Sequence, residues 1–203
     1  MPYDTMWRIA LIPWYVFAAY WAITAFRVRP TKTRERSADR LLTVVVVIVA
    51  YELLFTRVLR IGVLGLRFVP PQAWIAYAGI AVSCVGTAIS IWARYCLGEN
   101  WSARVTLKEG HQLIRTGPYA FVRHPIYTGM LVATIGTTLV VGEWRAIAAI
   151  VLLIAAHSRK ALREERLLTR EFGDEYSVYR QHTGFMFPRL GGKSGIAGPA
   201  GQN

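Results

Sequence analysis

Five apolar runs dominate the sequence and leave a chain of this length few ways to fold. They occupy residues 6–26, 41–59, 73–97, 125–141 and 144–157. A helix that crosses a bilayer needs about 20 mostly apolar residues, which the first three runs supply. The last two are shorter and are split by Gly142-Glu143, so they read as a helical hairpin. The pattern predicts an all-α integral membrane protein with about five transmembrane segments, the last two a hairpin, followed by a cytosolic helical region. Pro13 inside the first run predicts a kink there. That run reads as a signal anchor, because no basic stretch precedes it and it outlasts a usual signal-peptide core.

Charge then fixes the orientation. Hydrophobic residues make up 54% of the chain, yet its formal net charge is +12. Nineteen of the 24 Lys and Arg fall in residues 27–40, 94–123 and 159–193. With five spans and the N-terminus outside, all 19 share the cytoplasmic side, as the positive-inside bias demands. The excess charge is therefore topology facing anionic headgroups, and it calls for no nucleic-acid partner.

Other features read as structural. Two cysteines exclude a disulfide-stapled scaffold. Cys84 and Cys96 stand about 18 Å apart along one helix, so they cannot pair within it, and they read as small buried apolar residues. Gly129, Ala133 and Thr137 form a small-residue stripe on the fourth segment, with Ala146, Ala149 and Ala156 as partners on the return helix. Glu52, a carboxylate inside the second segment, reads as structural or protonated. Residues 190–203 are glycine-rich and read as disordered.

Polar chemistry gathers around the hairpin. His111 and His124 precede it, and His157, Glu164, Glu165 and His182 follow it. No HxxxH or CxxC spacing occurs among the His and Cys residues, so no metal site is predicted. Pro125 suits the first position of a helix, with His124 before it. The exposed N–H groups and dipole of such a helix start favour an anion. The bland alternative is an interfacial Arg–His pair before an ordinary helix. Glu164 lies one turn from Lys160, so a simple i,i+4 ion pair competes with a ligand-binding carboxylate. The return helix should run from Trp144 to about Phe172 and stop at Gly173, with Tyr176 and Tyr179 packing beneath it.

These motifs, in order, resemble a known family. Arg123-His124-Pro125-Ile126-Tyr127, a hydrophobic hairpin, then Glu164-Glu165, is similar to the signature of isoprenylcysteine carboxyl methyltransferases and related phospholipid methyltransferases. Leu97-Gly98-Glu99-Asn100-Trp101, His111-Gln112-Leu113-Ile114 with Gly117-Pro118-Tyr119, and Phe172-Gly173 through Tyr179 resemble flanking motifs. The resemblance covers residues 94–188, and no GxGxxG occurs, which suits a family outside the soluble methyltransferase fold.

The resemblance implies S-adenosyl-L-methionine as cofactor, bound at the cytosolic face. It implies cofactor contacts from His111, Gln112, Leu113, Ile114, Tyr119, His124, Pro125, Ile126, Tyr127, Glu164 and Glu165. It also implies an acceptor-binding basic residue, either Arg159 or Lys160, and membrane-borne lipophilic or prenylated acceptors. A carboxylate acceptor needs no base, whereas an amine acceptor would use Glu164 or Glu165. The implied division is 1–93 as membrane anchor, 94–189 as methyltransferase core and 190–203 as tail. Phospholipid N-methylation, thiol S-methylation, an NADPH-dependent sterol-reductase-like activity and a non-enzymatic role are the competing readings.

Overall fold

A computed structural model describes residues 3–25, 37–98, 101 and 113–189. The helices are α1 (Tyr3–Thr24), α2 (Ser37–Phe55), α3 (Ala73–Leu97), α4 (Pro125–Val141) and α5 (Trp144–His182), with 3-10 turns at Gly62–Gly65 and Gly117–Ala120. Helices α3 and α4 have the bounds of their apolar runs, and α1 runs on through Pro13. Among the described residues two helices, α1 and α3, are by length and composition alone able to cross a membrane, while α4 is apolar but short. Helix α2 carries Asp39, Arg40 and Glu52 within its span. The charged half of α5 dilutes its apolar start.

The tightest helix pair is α3 against α4. Gly79, Ser83, Gly86 and Ser90 recur along the buried face of α3. They meet Gly129, Ala133, Gly136 and Val140 of α4. At Gly86 a Cβ would collide with the Ala133 amide nitrogen and the Gly129 carbonyl, so the two backbones touch there. This corrects the expected partner of the α4 stripe, which is α3 and not the return helix. The reason is shape: α3 offers small residues at the matching repeat, and close backbone approach maximises dispersion contact where lipid supplies no hydrophobic drive. Ala146 and Ala149 of α5 instead join a core with Leu153, Ala50 and Leu54, against α2. Trp14 of α1 donates to Thr137 Oγ1 at 2.8 Å, tying α1 to α4.

A buried ion cluster locks the hairpin turn. Glu143 and Arg145 are each 1% exposed. Arg145 Nε donates to Glu143 at 2.6 Å, and its Nη1 donates to the Leu53, Leu54 and Thr56 carbonyls. One arginine thereby caps the open carbonyls at the end of α2. Arg60 reaches the other Glu143 oxygen at 2.8 Å. At the opposite end, Arg94 donates to the carbonyls of Thr24 and Gly98, closing α1 and α3 together.

The return helix breaks at Gly173, as the sequence predicts. The backbone leaves helical geometry there (φ 51, ψ −122), a conformation glycine takes without a Cβ clash, and a second helical stretch runs on to His182. Burial of Tyr176 and Tyr179, the latter donating to the Tyr119 carbonyl at 2.7 Å, draws that last stretch back onto the fold. Cys84 is exposed on α3 rather than buried, because the buried face of that helix belongs to its glycines and serines. The expected disordered tail lies outside the described residues.

Candidate functional site

The elements that start α4 and continue α5 meet at one place. Pro125 is the first residue of α4 and is buried, and His124 precedes it. Residues 121–124 are held by a parallel contact with the chain after α5. Arg123 and His124 donate their amides to the carbonyls of Gly184 and Phe185 at 2.9 and 3.1 Å. This fixes the rings and charges on either side of Pro125.

Glu164 and Glu165 arrive from α5 and play different parts. Glu165 is buried. Arg123 Nε donates to it at 2.6 Å, His124 Nε2 lies 3.4 Å away, and Arg180 Nε lies 3.7 Å from its other oxygen. Arg123 also donates to the Thr183 carbonyl at 2.5 Å, so it bridges α5 to the segment that covers the site. Glu164 is the more open of the two, with a side chain 24% exposed. It accepts a hydrogen bond from Tyr127 Oη at 2.8 Å and lies 3.6 Å from His124 Nδ1.

The charges reinforce one another. Burial opposes a charged His124, yet the Glu164 and Glu165 carboxylates outweigh it and raise its pKa above the ordinary histidine value. Burial favours a neutral Glu165, but His124 and Arg123 hold its carboxyl down to about 2. Glu164 follows the same pattern: burial is overcome by His124 and Lys160, and its pKa is lowered. The site therefore holds an imidazolium between two carboxylates. Burial, reinforced by the charge of Glu164, pushes the Tyr119 phenol well above its usual range, so it stays neutral.

Aromatic surfaces complete the wall. Tyr127 lies 5.8 Å from His124 and 5.0 Å from His157, nearly parallel to both rings. Lys160 Nζ stands 5.6 Å from the centre of the Tyr127 ring. Phe185 meets His124 edge-on at 5.1 Å.

The site residues expected from the sequence fare unequally. His124, Pro125, Tyr127, Glu164, Glu165 and Lys160 come together, and Tyr119 is close enough for Glu164 to act on it. Ile126 contributes its carbonyl to Ser90 Oγ at 3.1 Å, which anchors α4 on α3. Leu113 and Ile114 are half-buried ahead of the Gly117–Ala120 turn. His111 and Gln112 lie outside the described residues. Arg159 points elsewhere, donating to Asp39 of α2 at 2.8 Å, and Arg163 donates to Thr43. Of the two basic residues, only Lys160 thus contacts the cluster. Arg123 and His157 are members the sequence reading did not assign. His157, Lys160 and Glu164 stand at i, i+3 and i+7, and that helical spacing is a signal that selects them. Among the described residues no group of His, Cys, Asp and Glu is arranged to hold a metal ion.

Comparison with known proteins agrees with this picture. The sequence model of the Isoprenylcysteine carboxyl methyltransferase (ICMT) family matches residues 79–170, which includes α4, the hairpin and both glutamates. The Phe172–Tyr179 motif lies beyond that match. The chain is 29% identical over 119 residues to a probable protein-S-isoprenylcysteine O-methyltransferase of Oryza sativa subsp. indica, covering 56% of this chain and 62% of the relative. It is 32% identical over 101 residues to a protein-S-isoprenylcysteine O-methyltransferase of Schizosaccharomyces pombe, covering 48% and 43%. The chain thus spans less than two thirds of the length of these relatives. In three dimensions it is similar to a solved eukaryotic intramembrane Ras methyltransferase, an isoprenylcysteine carboxyl methyltransferase. The TM-score is 0.55 at 24% identity, over 76% of this chain and 53% of that one. The likeness is one of fold, an all-helical arrangement. Residues 79–170, somewhat under half of the chain, thus match the isoprenylcysteine carboxyl methyltransferase family in sequence.

Proposed function

We propose that the chain is an integral membrane methyltransferase that uses S-adenosyl-L-methionine and acts on a lipophilic acceptor, a prenylcysteine-like carboxylate first of all. The observation that carries the reading is the joining of Tyr127, His124, Glu164 and Glu165 at the start of α4, the two signature motifs folded into one site. The donor set suits a cationic ligand. Glu164 is open, anionic and backed by the Tyr127 ring, and carboxylates and aromatic faces both attract a positive centre.

When bound, the cofactor supplies a methyl group already activated by its sulfonium charge. The chain's own residues bind, orient and exclude water. Glu164, Tyr127 and Tyr119 line the cofactor side, with Leu113 and Ile114 as its flank. The first turn of α4, after Pro125 and beside Ile126, is the place for the cofactor's own carboxylate. Glu165 holds Arg123 and His124 in position rather than touching the ligand. Lys160 faces the acceptor carboxylate. A carboxylate attacks without losing a proton, so alignment is the main catalytic contribution. Opposite charges vanish in the step, and a site with little water favours it.

Five crossings, with the N-terminus outside and this site at the cytoplasmic face, are supported by the sorting of basic residues. The test uses the purified chain in lipid discs, methyl-labelled S-adenosylmethionine and a native membrane extract. Alkali-labile label released as methanol is expected, the mark of an ester. Stable label in phospholipid or volatile thioether would move the acceptor to an amine or a thiol. No labelling together with no cofactor binding would overturn the enzyme reading.

A further inference from the structure

His157 is 4% exposed, and its Nε2 has no hydrogen-bond partner among the described residues. A polar nitrogen shut away from water without a partner is unfavourable, so it calls for an explanation. The position of the residue supplies one. His157, Lys160 and Glu164 lie on one face of α5, and each is fixed against Tyr127: the first by ring contact at 5.0 Å, the second over the ring at 5.6 Å, the third by the 2.8 Å hydrogen bond. His157 is the member nearest the apolar half of α5, about 4.5 Å further along the axis than Lys160.

We propose that His157 is an acceptor-binding residue whose Nε2–H donates to one oxygen of the acceptor's carboxylate while Lys160 faces the other. The inference rests on the methyltransferase reading and narrows it to a carboxylate. A neutral imidazole has one N–H donor, and an ammonium one turn away adds charge. Together they form a two-point receptor for a carboxylate, which an amine or a thiol would not match. The near-parallel Tyr127 ring holds the imidazole plane, so the donor direction is set before the acceptor arrives. His157 exchanges no proton in the transfer, since the nucleophile is already an anion.

The experiment measures binding of N-acetyl-S-farnesylcysteine and of its carboxamide to the full chain in lipid discs without cofactor. H157F keeps a ring beside Tyr127 and removes the donor. The expected result is about tenfold weaker binding of the acid, unchanged binding of the carboxamide, unchanged cofactor affinity, and recovery of most of the loss in H157Q. If H157F does not fold, H157M against H157Q carries the same comparison. Equal effects on acid and carboxamide, or no effect, would overturn the assignment. A loss of turnover with acid binding intact would also overturn it, because His157 would then act as a base. Wild-type chain that binds no S-adenosylmethionine would bring down the methyltransferase reading itself, and this inference with it.

Discussion

Tyr127 and Glu164, 37 positions apart, are joined by a hydrogen bond of 2.8 Å that ties the first turn of α4 to the charged half of α5. The bond leaves one Glu164 oxygen toward His124 and the open side of the site. Tyr127→Phe keeps the ring and removes the hydroxyl. Cofactor affinity should fall about 5- to 30-fold, the equivalent of a hydrogen bond to a charged group of roughly 1–2 kcal/mol, with the fold intact. Titration calorimetry in detergent reads it. An unchanged affinity would detach Tyr127 from the cofactor.

Lys160 and Arg159 should separate cleanly. Lys160→Ala is expected to raise the acceptor KM about tenfold or more with a smaller change in kcat. Arg159→Ala should leave both near wild type, since its partner Asp39 is on α2 and the pair is exposed, contributing about 0–1 kcal/mol. The reverse pattern would exchange their roles.

Stability should follow the site's ionisation. Glu165 has a depressed pKa of about 2, so its contribution is present above the unfolded carboxyl value near 4.5 and is lost as pH falls toward 2. His124 has a raised pKa, so its contribution is complete below about 6.5 and disappears as pH rises through that raised value. Melting temperature against pH in detergent should therefore fall on the acid side. Glu165→Gln should flatten that limb and cost about 3–5 kcal/mol at neutral pH, because Arg123 is left buried without its anion. An acid limb of unchanged size in Glu165→Gln would refute the assignment.

Arg145→Met should be among the most damaging changes remote from the site. It removes the buried one of the two arginines that pair with Glu143, which is 1% exposed, leaves the pair with Arg60, and uncaps α2. About 2–4 kcal/mol is expected from the lost buried pair and the uncapped carbonyls. The double change with Glu143→Leu should recover part of it, read as melting temperatures.

Gly86→Ala tests the helix seam. Its new methyl meets the backbone of Ala133 and Gly129, which cannot step aside as a flexible side chain would. A loss of about 1–3 kcal/mol is expected. No loss in melting temperature would mean that α3 and α4 stand further apart.

Much of the secondary structure was legible in order along the chain. Long apolar runs with charged ends set α3 and α4 to the residue, because a helix in lipid must satisfy its own backbone and Pro125 can only begin one. The two motifs of the site were legible too, as residue types at a spacing. Which glutamate is open was not, since Glu164 and Glu165 are neighbours that a helix turns to different sides.

The sequence by itself determined the helical segments, the sorting of positive charge and the residue types that make the site. Only the tertiary structure decided the partners. A small-residue stripe says that something comes close, but α3 was chosen over α5 by the match of two repeats in space. Arg159 and Lys160 are adjacent in sequence, yet about 100° of helix turn sends one to Asp39 and the other to Tyr127. Local pattern fixes which face a residue occupies, and packing fixes what that face meets.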